Sequence, residues 1–205
     1  MFLDELTEFD RKSIEVLREP LETGKIHLSR AARQASYPAK FQLVAAMNPC
    51  PGGCESIERC QCSPEQLTRY KNKLSAPLLD RIDIQIELPR LKRDELLTGK
   101  TTNEETSTQA RRRIKAARSR QLQRQRCLNA QLTNRQIEQY CRLDTMSQNL
   151  LSQAIDKLKL SARSYHRLLK LARTIADLAD QRDIQPDHIG EAIGYRRSAL
   201  TNRQP

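Results

Sequence analysis

Apolar residues along this chain follow two different periods, and the change of period divides it. Up to about residue 88 they come in short runs suited to strands. These are Phe2-Leu3 ahead of Asp4-Glu5, the run Phe41-Gln42-Leu43-Val44-Ala45-Ala46, and the alternating Ile82, Ile84, Ile86 and Leu88. Near-continuous runs of this length suit strands buried in a parallel sheet. Between them Asp10 is placed to cap a helix carrying Ile14, Leu17 and Leu21, closed near Pro20 and Gly24, and a further helix is expected around Pro64 to Lys73. Lys25 to Leu28 reads as β-structure, followed by a polar tip, Ser29 to Gln34, before the 41–46 run.

From about residue 103 the spacing becomes helical. A long polar helix is expected over 103–127, with Glu104 and Glu105 at its start. Thr133 and Gln136 form a capping box, Asp144 or Thr145 opens a helix with Met146, Leu150, Ala154 and Leu158 on one face, and Ser161 caps another. That helix has Tyr165, Leu168, Ala172, Ile175 and Leu178 as its core stripe, with His166 read as a surface or packing residue. Pro186 suits the first turn of a last helix with Ile189, Ala192 and Ile193 inward, and His188 too is read as packing. The expected organisation is an α/β domain over 1–90, a polar linker over 91–102, an all-α domain over 103–200 and a tail over 201–205.

Charge narrows the partners. The 205 residues carry a net charge of +11 with a pI near 9.7, which favours a polyanion, nucleic acid first. No segment approaches the roughly 18 apolar residues that span a bilayer, so no membrane partner is expected. Acidic residues follow Met1 almost at once, unlike a signal peptide, and cytoplasmic localisation is expected. Lysine and arginine fill eight of the sixteen positions from Arg111 to Arg126, including Arg111, Arg112 and Arg113, against a thin apolar line of Ala110, Ile114 and Ala117. This run is either a solvated helix face or a surface that tracks phosphates. Arg30 and Arg33 stand in the polar tip, where a hairpin would project them toward phosphates.

Candidate chemistry gathers at the strand ends. Asp4 and Glu5 close the first apolar run, at the tip where ligands bind in open α/β sheets. There an aspartate can hold Mg²⁺ on a nucleotide and a glutamate can orient an attacking water. Asn48 follows the second run and can aim its amide into the same crevice, or simply open a turn. Arg81 precedes the third run, suited either to stabilising a transferred phosphoryl group or to pairing with Asp80 or Asp83. Cys50, Cys54, Cys60 and Cys62, in the pattern C-x3-C then C-x-C, are candidates for a tetrahedral Zn²⁺ site, the alternative being reduced, unliganded thiols.

Five segments in order, Phe-Leu-Asp-Glu-Leu at 2–6, Arg-Glu-Pro-Leu-Glu at 18–22, Ser-Arg-Ala at 29–31, Ala-Ala-Met-Asn-Pro at 45–49 and Leu-Leu-Asp-Arg-Ile-Asp at 78–83, together resemble the magnesium-chelatase-like ATPases of the ComM/YifB family within the AAA+ superfamily. Residues 161–178 are similar to that family's C-terminal region. The resemblance implies a partial AAA+ P-loop-type core with an incomplete parallel sheet, followed by a helical lid. It implies Asp4 and Glu5 as the Walker B pair, Asn48 as sensor 1, Arg81 as an arginine finger and Arg163 as sensor 2. It further implies ATP and Mg²⁺ as cofactors, a hexameric ring and DNA remodelling or branch migration on branched or single-stranded DNA, with the Arg30/Arg33 hairpin facing it. An ATPase subunit of a metal chelatase and a non-catalytic nucleic-acid-binding remnant are the alternatives. The 205 residues contain no G-x-x-x-x-G-K-[ST] loop, their glycines being 24, 52, 53, 99, 190 and 194. The expectation is therefore a split or truncated protein, completed by a separately encoded N-terminal half or inactive alone. Its sheet would lack the strand between 41–46 and 82–88.

Overall fold

The computed structural model describes residues 1–30, 33–54, 60–88, 105–158 and 160–196. The linker expected at 91–102, Glu104 and the tail at 201–205 lie outside the described residues. The described chain forms two compact units, one through Ile82 and one from Asp83.

The first unit runs β1 (Phe2–Leu3), a 3-10 turn (Leu6–Glu8), α1 (Arg11–Val16), α2 (Arg18–Thr23), β2 (Lys25–Arg30), β3 (Arg33–Pro38), β4 (Val44–Ala45), α3 (Pro64–Lys71) and α4 (Ala76–Leu79). Asp10 caps α1 by accepting the N–H groups of Lys12 at 2.8 Å and Ser13 at 3.1 Å. The single expected helix breaks at Leu17 because Pro20 has no N–H to give the Val16 carbonyl and its ring crowds that turn. Gly24 ends α2 with φ of 67°, the left-handed conformation that glycine adopts without penalty. A Cβ there would also meet the Lys40 side chain at 2.9 Å.

β1 and β4 pair in parallel, Phe2 against Val44 and Leu3 against Ala45. Leu6, Ile14, Leu74 and Leu78 form the buried core beneath them, with Leu3, Leu21, Met47 and Leu79 packed alongside. Phe2 and Val44 stay more than half exposed, so the apolar surface of the pair is only partly covered. The run expected as a strand over 41–46 is regular only at Val44–Ala45.

Two expectations fail in this unit. The polar tip at 29–34 is mostly strand, since β2 and β3 form an antiparallel hairpin in which Ser29 faces Gln34 and Arg30 faces Arg33. The strand expected over 82–88 does not form. Among the described residues no strand pairs with it to satisfy its backbone, and Ile84, Ile86 and Leu88 are 49%, 64% and 80% exposed. Residues from Asp83 belong instead to the second unit, where Gln85 donates its N–H to the Tyr195 carbonyl at 2.8 Å.

The second unit contains α5 (Ser107–Gln125), a 3-10 turn (Asn129–Gln131), α6 (Asn134–Tyr140), α7 (Thr145–Leu158), α8 (Ala162–Leu178) and α9 (Pro186–Gly194). Thr106, Thr133 and Ser161 cap α5, α6 and α8, each accepting the N–H three residues on. α8 is the central helix, packed against α5, α6 and α9. Leu168, Leu169, Ala172, Ile175 and Ala176 of α8 meet Ile189, Ala192 and Ile193 of α9, Leu151 and Ala154 of α7, and Ile137 of α6.

Met146 is 69% exposed and not in this core. Four helical residues overshoot a turn by about 40°, so a stripe stepped only by fours drifts around the helix. α7 buries Ser147, Leu151 and Ala154 instead. Ile114 is likewise exposed, and α5 docks through Ala117, Gln121 and Gln125.

Candidate catalytic strand ends and thiol cluster

The parallel register of β1 and β4 places their following residues side by side. Ala46 donates its N–H to the Leu3 carbonyl and Leu6 donates to the Ala46 carbonyl, each at 2.9 Å. These bonds continue the ladder past both strands, and they bracket Asp4 and Glu5 on one side and the approach to Asn48 on the other. All three residues are exposed. The Asp4 Oδ1 accepts its neighbour's N–H, that of Glu5, at 3.0 Å. Glu5 has φ of 50° and ψ of 48°, a left-handed conformation that costs a non-glycine residue about 1–2 kcal/mol. Such strain is typical of positions where chemistry dictates side-chain direction.

A hydrogen-bond relay behind these residues was not legible in the sequence. Thr7 is buried and donates its Oγ1 hydrogen to the Tyr70 hydroxyl at 2.9 Å. Tyr70, itself buried on α3, donates onward to the Asn48 carbonyl at 2.9 Å. Lys73 reaches the Thr7 carbonyl at 2.7 Å and the Glu8 carboxylate at 3.6 Å. α3 therefore ties the turn after β1 to the turn after β4. The partners lie more than sixty residues from Thr7, so no local pattern announces them. Desolvation raises the Tyr70 phenol above its ordinary value, keeping it a neutral donor.

Arg81 follows α4, with its guanidinium bound to the Glu22 carboxylate and to the Pro77 carbonyl at 2.6 Å. Its side chain is only 10% exposed. Glu22 lies on α2, in the Arg-Glu-Pro-Leu-Glu segment, and is a partner beyond the two aspartates weighed from the sequence. Arg30 and Arg33 are cross-strand partners at the turn end of the β2–β3 hairpin.

The four cysteines between β4 and α3 converge. The sulfurs of Cys50, Cys54, Cys60 and Cys62 all lie within 4.8 Å of one another, with Cys50 buried and the rest half-buried. All four are free thiols. Cys54 donates its N–H to the Cys50 Sγ at 3.2 Å and Cys62 to the Cys60 Sγ at 3.4 Å. Burial opposes ionisation of Cys50, but the Cys54 N–H and the neighbouring thiols outweigh it and bring the group down to about 7. Four sulfur donors converging from one loop suit a soft tetrahedral ion, Zn²⁺ before Mg²⁺.

In the helical unit Arg163 is exposed in the first turn of α8. Arg111, Arg112 and Arg113 are exposed on α5, with Arg113 paired to Glu105 at 2.8 Å. Other members of the basic run have structural work. Arg124 grips Asp177 in a two-pronged pair at 2.6 and 3.0 Å, and Arg120 reaches the Asp177 carbonyl at 2.7 Å and the Asp180 carboxylate at 2.7 Å. Arg173 and the Asn129 amide complete the cage around Asp177 at 3.0 and 2.8 Å. His188 is buried, its Nδ1 accepting the Gln185 N–H at 3.0 Å, a packing and capping role.

Comparison with known proteins gives a consistent answer along the chain. Residues 1–96 match the family "Magnesium chelatase, subunit ChlI" and residues 104–196 match "Magnesium chelatase, subunit ChlI C-terminal". The chain is 47% identical over 197 residues to the competence protein ComM of Haemophilus influenzae and 46% identical over 196 residues to the uncharacterized protein YifB of Escherichia coli. Each alignment covers 96% of this chain and 38% of the relative. An uncharacterized protein of Mycobacterium bovis is 35% identical over 202 residues, which cover 97% of this chain and 40% of that protein. The chain thus spans well under half the length of these relatives.

Proposed function

This chain belongs to the magnesium chelatase ChlI family, alongside the ComM and YifB proteins, and on that premise we propose that it supplies the water-orienting and sensing half of an ATPase that remodels DNA. The observation carrying this reading is the adjacency of Asp4-Glu5 and Asn48 at the ends of two hydrogen-bonded parallel strands. An exposed aspartate suits a hard cation with oxygen ligands, so Asp4 is the residue that would hold Mg²⁺ on ATP. The bound nucleotide would bring the phosphoryl group to be transferred. Glu5 orients and deprotonates the attacking water, and the Asn48 amide positions that water from the neighbouring strand. Arg81 is the candidate finger toward an adjacent subunit and exchanges Glu22 for phosphate when it acts. Arg163 is the candidate γ-phosphate sensor. The four thiols are read as a structural Zn²⁺ site that does not touch the reacting groups.

The sequence holds no glycine-rich phosphate loop, so in this reading the loop comes from a family segment outside these 205 residues, adjoining or separately encoded. The chain on its own neither binds ATP tightly nor hydrolyses it. The basic hairpin end and the exposed arginines of α5 favour branched or single-stranded DNA as the polymer that is moved, by a ring of subunits in the bacterial cytoplasm. A chelatase subunit that drives metal insertion would leave these basic surfaces without a use.

The test fuses the chain behind the phosphate-loop segment of a family relative. Glu5→Gln and Asn48→Ala should each lower the kcat for ATP by about 10²-fold or more, with little change in nucleotide binding. Unchanged turnover in Glu5→Gln would remove Glu5 from the site.

A further inference from the structure

The loop between β4 and α3 carries more than a metal-ligand pattern. Its first ligand, Cys50, stands two residues after Asn48, and its last, Cys62, stands immediately before Ser63, which caps α3. α3 then returns Tyr70 to the Asn48 carbonyl and to Thr7. The chain thus closes a ring from Asn48 through the four sulfurs and α3 back to Asn48. Only two parts of that ring are non-covalent, the tyrosine relay and the thiol cluster.

The cluster is built for closure. A tetrahedral Zn²⁺ with Zn–S bonds near 2.3 Å sets its sulfurs about 3.8 Å apart, so sulfurs already within 4.8 Å of one another need shift by only about an ångström. Gly52 is required by this approach, because a Cβ there would stand 2.9 Å from the Cys62 sulfur and 3.6 Å from the Cys54 sulfur. Gly53 turns the chain back with φ of 61°. The N–H groups of Cys54 and Cys62 point at ligand sulfurs, as they do where thiolates are held on a metal. Four protein ligands leave no open position for substrate or water, so the ion is structural.

We infer that Cys50, Cys54, Cys60 and Cys62 bind one Zn²⁺, and that this ion is the staple that fixes the Asn48 turn beside the Asp4-Glu5 turn. Loss of the ion by chelation loosens the Asn48 turn while leaving the helical unit intact. The metal site and the staple stand on geometry; their consequence for catalysis rests on the role proposed for Asn48.

The experiment uses the unmodified 205-residue chain. Metal analysis after purification under reducing conditions should find about one zinc per chain. Replacement by Co²⁺ should give the intense visible bands and thiolate charge-transfer absorption of a tetrahedral four-sulfur site. Removal of zinc by a strong chelator should raise amide exchange at Leu6 and Ala46 at least tenfold, with exchange in α8 unchanged, and adding Zn²⁺ back should restore it. Cys60→Ser with Cys62→Ser should reduce bound zinc to less than a tenth. A chain that purifies without metal and gives no four-sulfur cobalt spectrum overturns the metal site. A chain that binds zinc, yet keeps Leu6 and Ala46 equally protected after its removal, overturns the staple and leaves the metal site standing. These readouts need no ATP, so they are separate from the failure of the proposed ATPase role.

Discussion

Asp177 shows how a single residue can set the stability of the helical unit. It is 1% exposed, yet it carries a carboxylate held by Arg124, Arg173 and Asn129. Burial pushes its pKa up, but the hydrogen bonds from Arg124 and Asn129 and the nearby Arg173 charge win, and the group lies below its ordinary value of 3.8. The folded state therefore binds its proton less readily than the unfolded chain. The stability it contributes is complete above the unfolded value and is lost as pH falls through the lowered folded value. Asp177→Ala should cost the helical unit about 3–5 kcal/mol in urea unfolding at pH 7, because it strands buried guanidinium groups. Asp177→Asn should flatten the wild-type loss of stability below about pH 4. A cost under about 0.5 kcal/mol would mean the cage is incidental. The sequence offered Asp4, Glu5, Asn48 and the cysteines as candidates because each sits in a local pattern. Asp177, Thr7, Tyr70 and Glu22 act through partners distant in the chain, and nothing near them betrays it.

Among the elements, α5 divides its basic residues between two tasks. Its buried positions, Ala117, Gln121 and Gln125, are mostly polar, and Gln121 and Gln125 hydrogen-bond Asn129. With Arg120 and Arg124 they dock the helix on the last turn of α8, so part of the basic run is structural, while the exposed Arg111, Arg112 and Arg113 stay with the DNA reading, beside the equally exposed Lys115, Arg118 and Arg126. Changing all three to alanine should leave unfolding free energy within about 1 kcal/mol and should reduce the slope of log affinity for forked DNA against log salt by about 3. Arg124→Ala should do the reverse, destabilising the unit with little direct change in that slope. No binding of forked DNA by the unmodified chain at low salt would count against every nucleic-acid reading. Helices were the legible part of this protein, because caps such as Thr133 and Ser161 and the α8 stripe are local signals, although the cap of α5, Thr106, falls inside the stretch expected as helix. Strands were less so. β3 has no alternation strong enough to announce it, and the 82–88 run alternates well but pairs with no strand among the described residues.

At the scale of the whole molecule, the chain divides into a strand-and-helix unit with the candidate catalytic turns and a helical unit with its own core. The hydrophobic period changes near residue 88, whereas the compact units part at Ile82, residues 83–88 siding with the helices. No helix among the described residues is long and apolar enough to cross a membrane. In the proposed function these residues orient water and sense phosphate, while the loop that grips the nucleotide comes from a family segment outside these 205 residues. The most direct measurement is magnesium-dependent ATP turnover by the purified 205-residue chain, alone and joined to the phosphate-loop segment of a relative. The expected result is no turnover alone, turnover once the segment is supplied, and its loss again in Glu5→Gln. Turnover by the chain alone, or turnover in the joined protein that ignores Glu5, would contradict it.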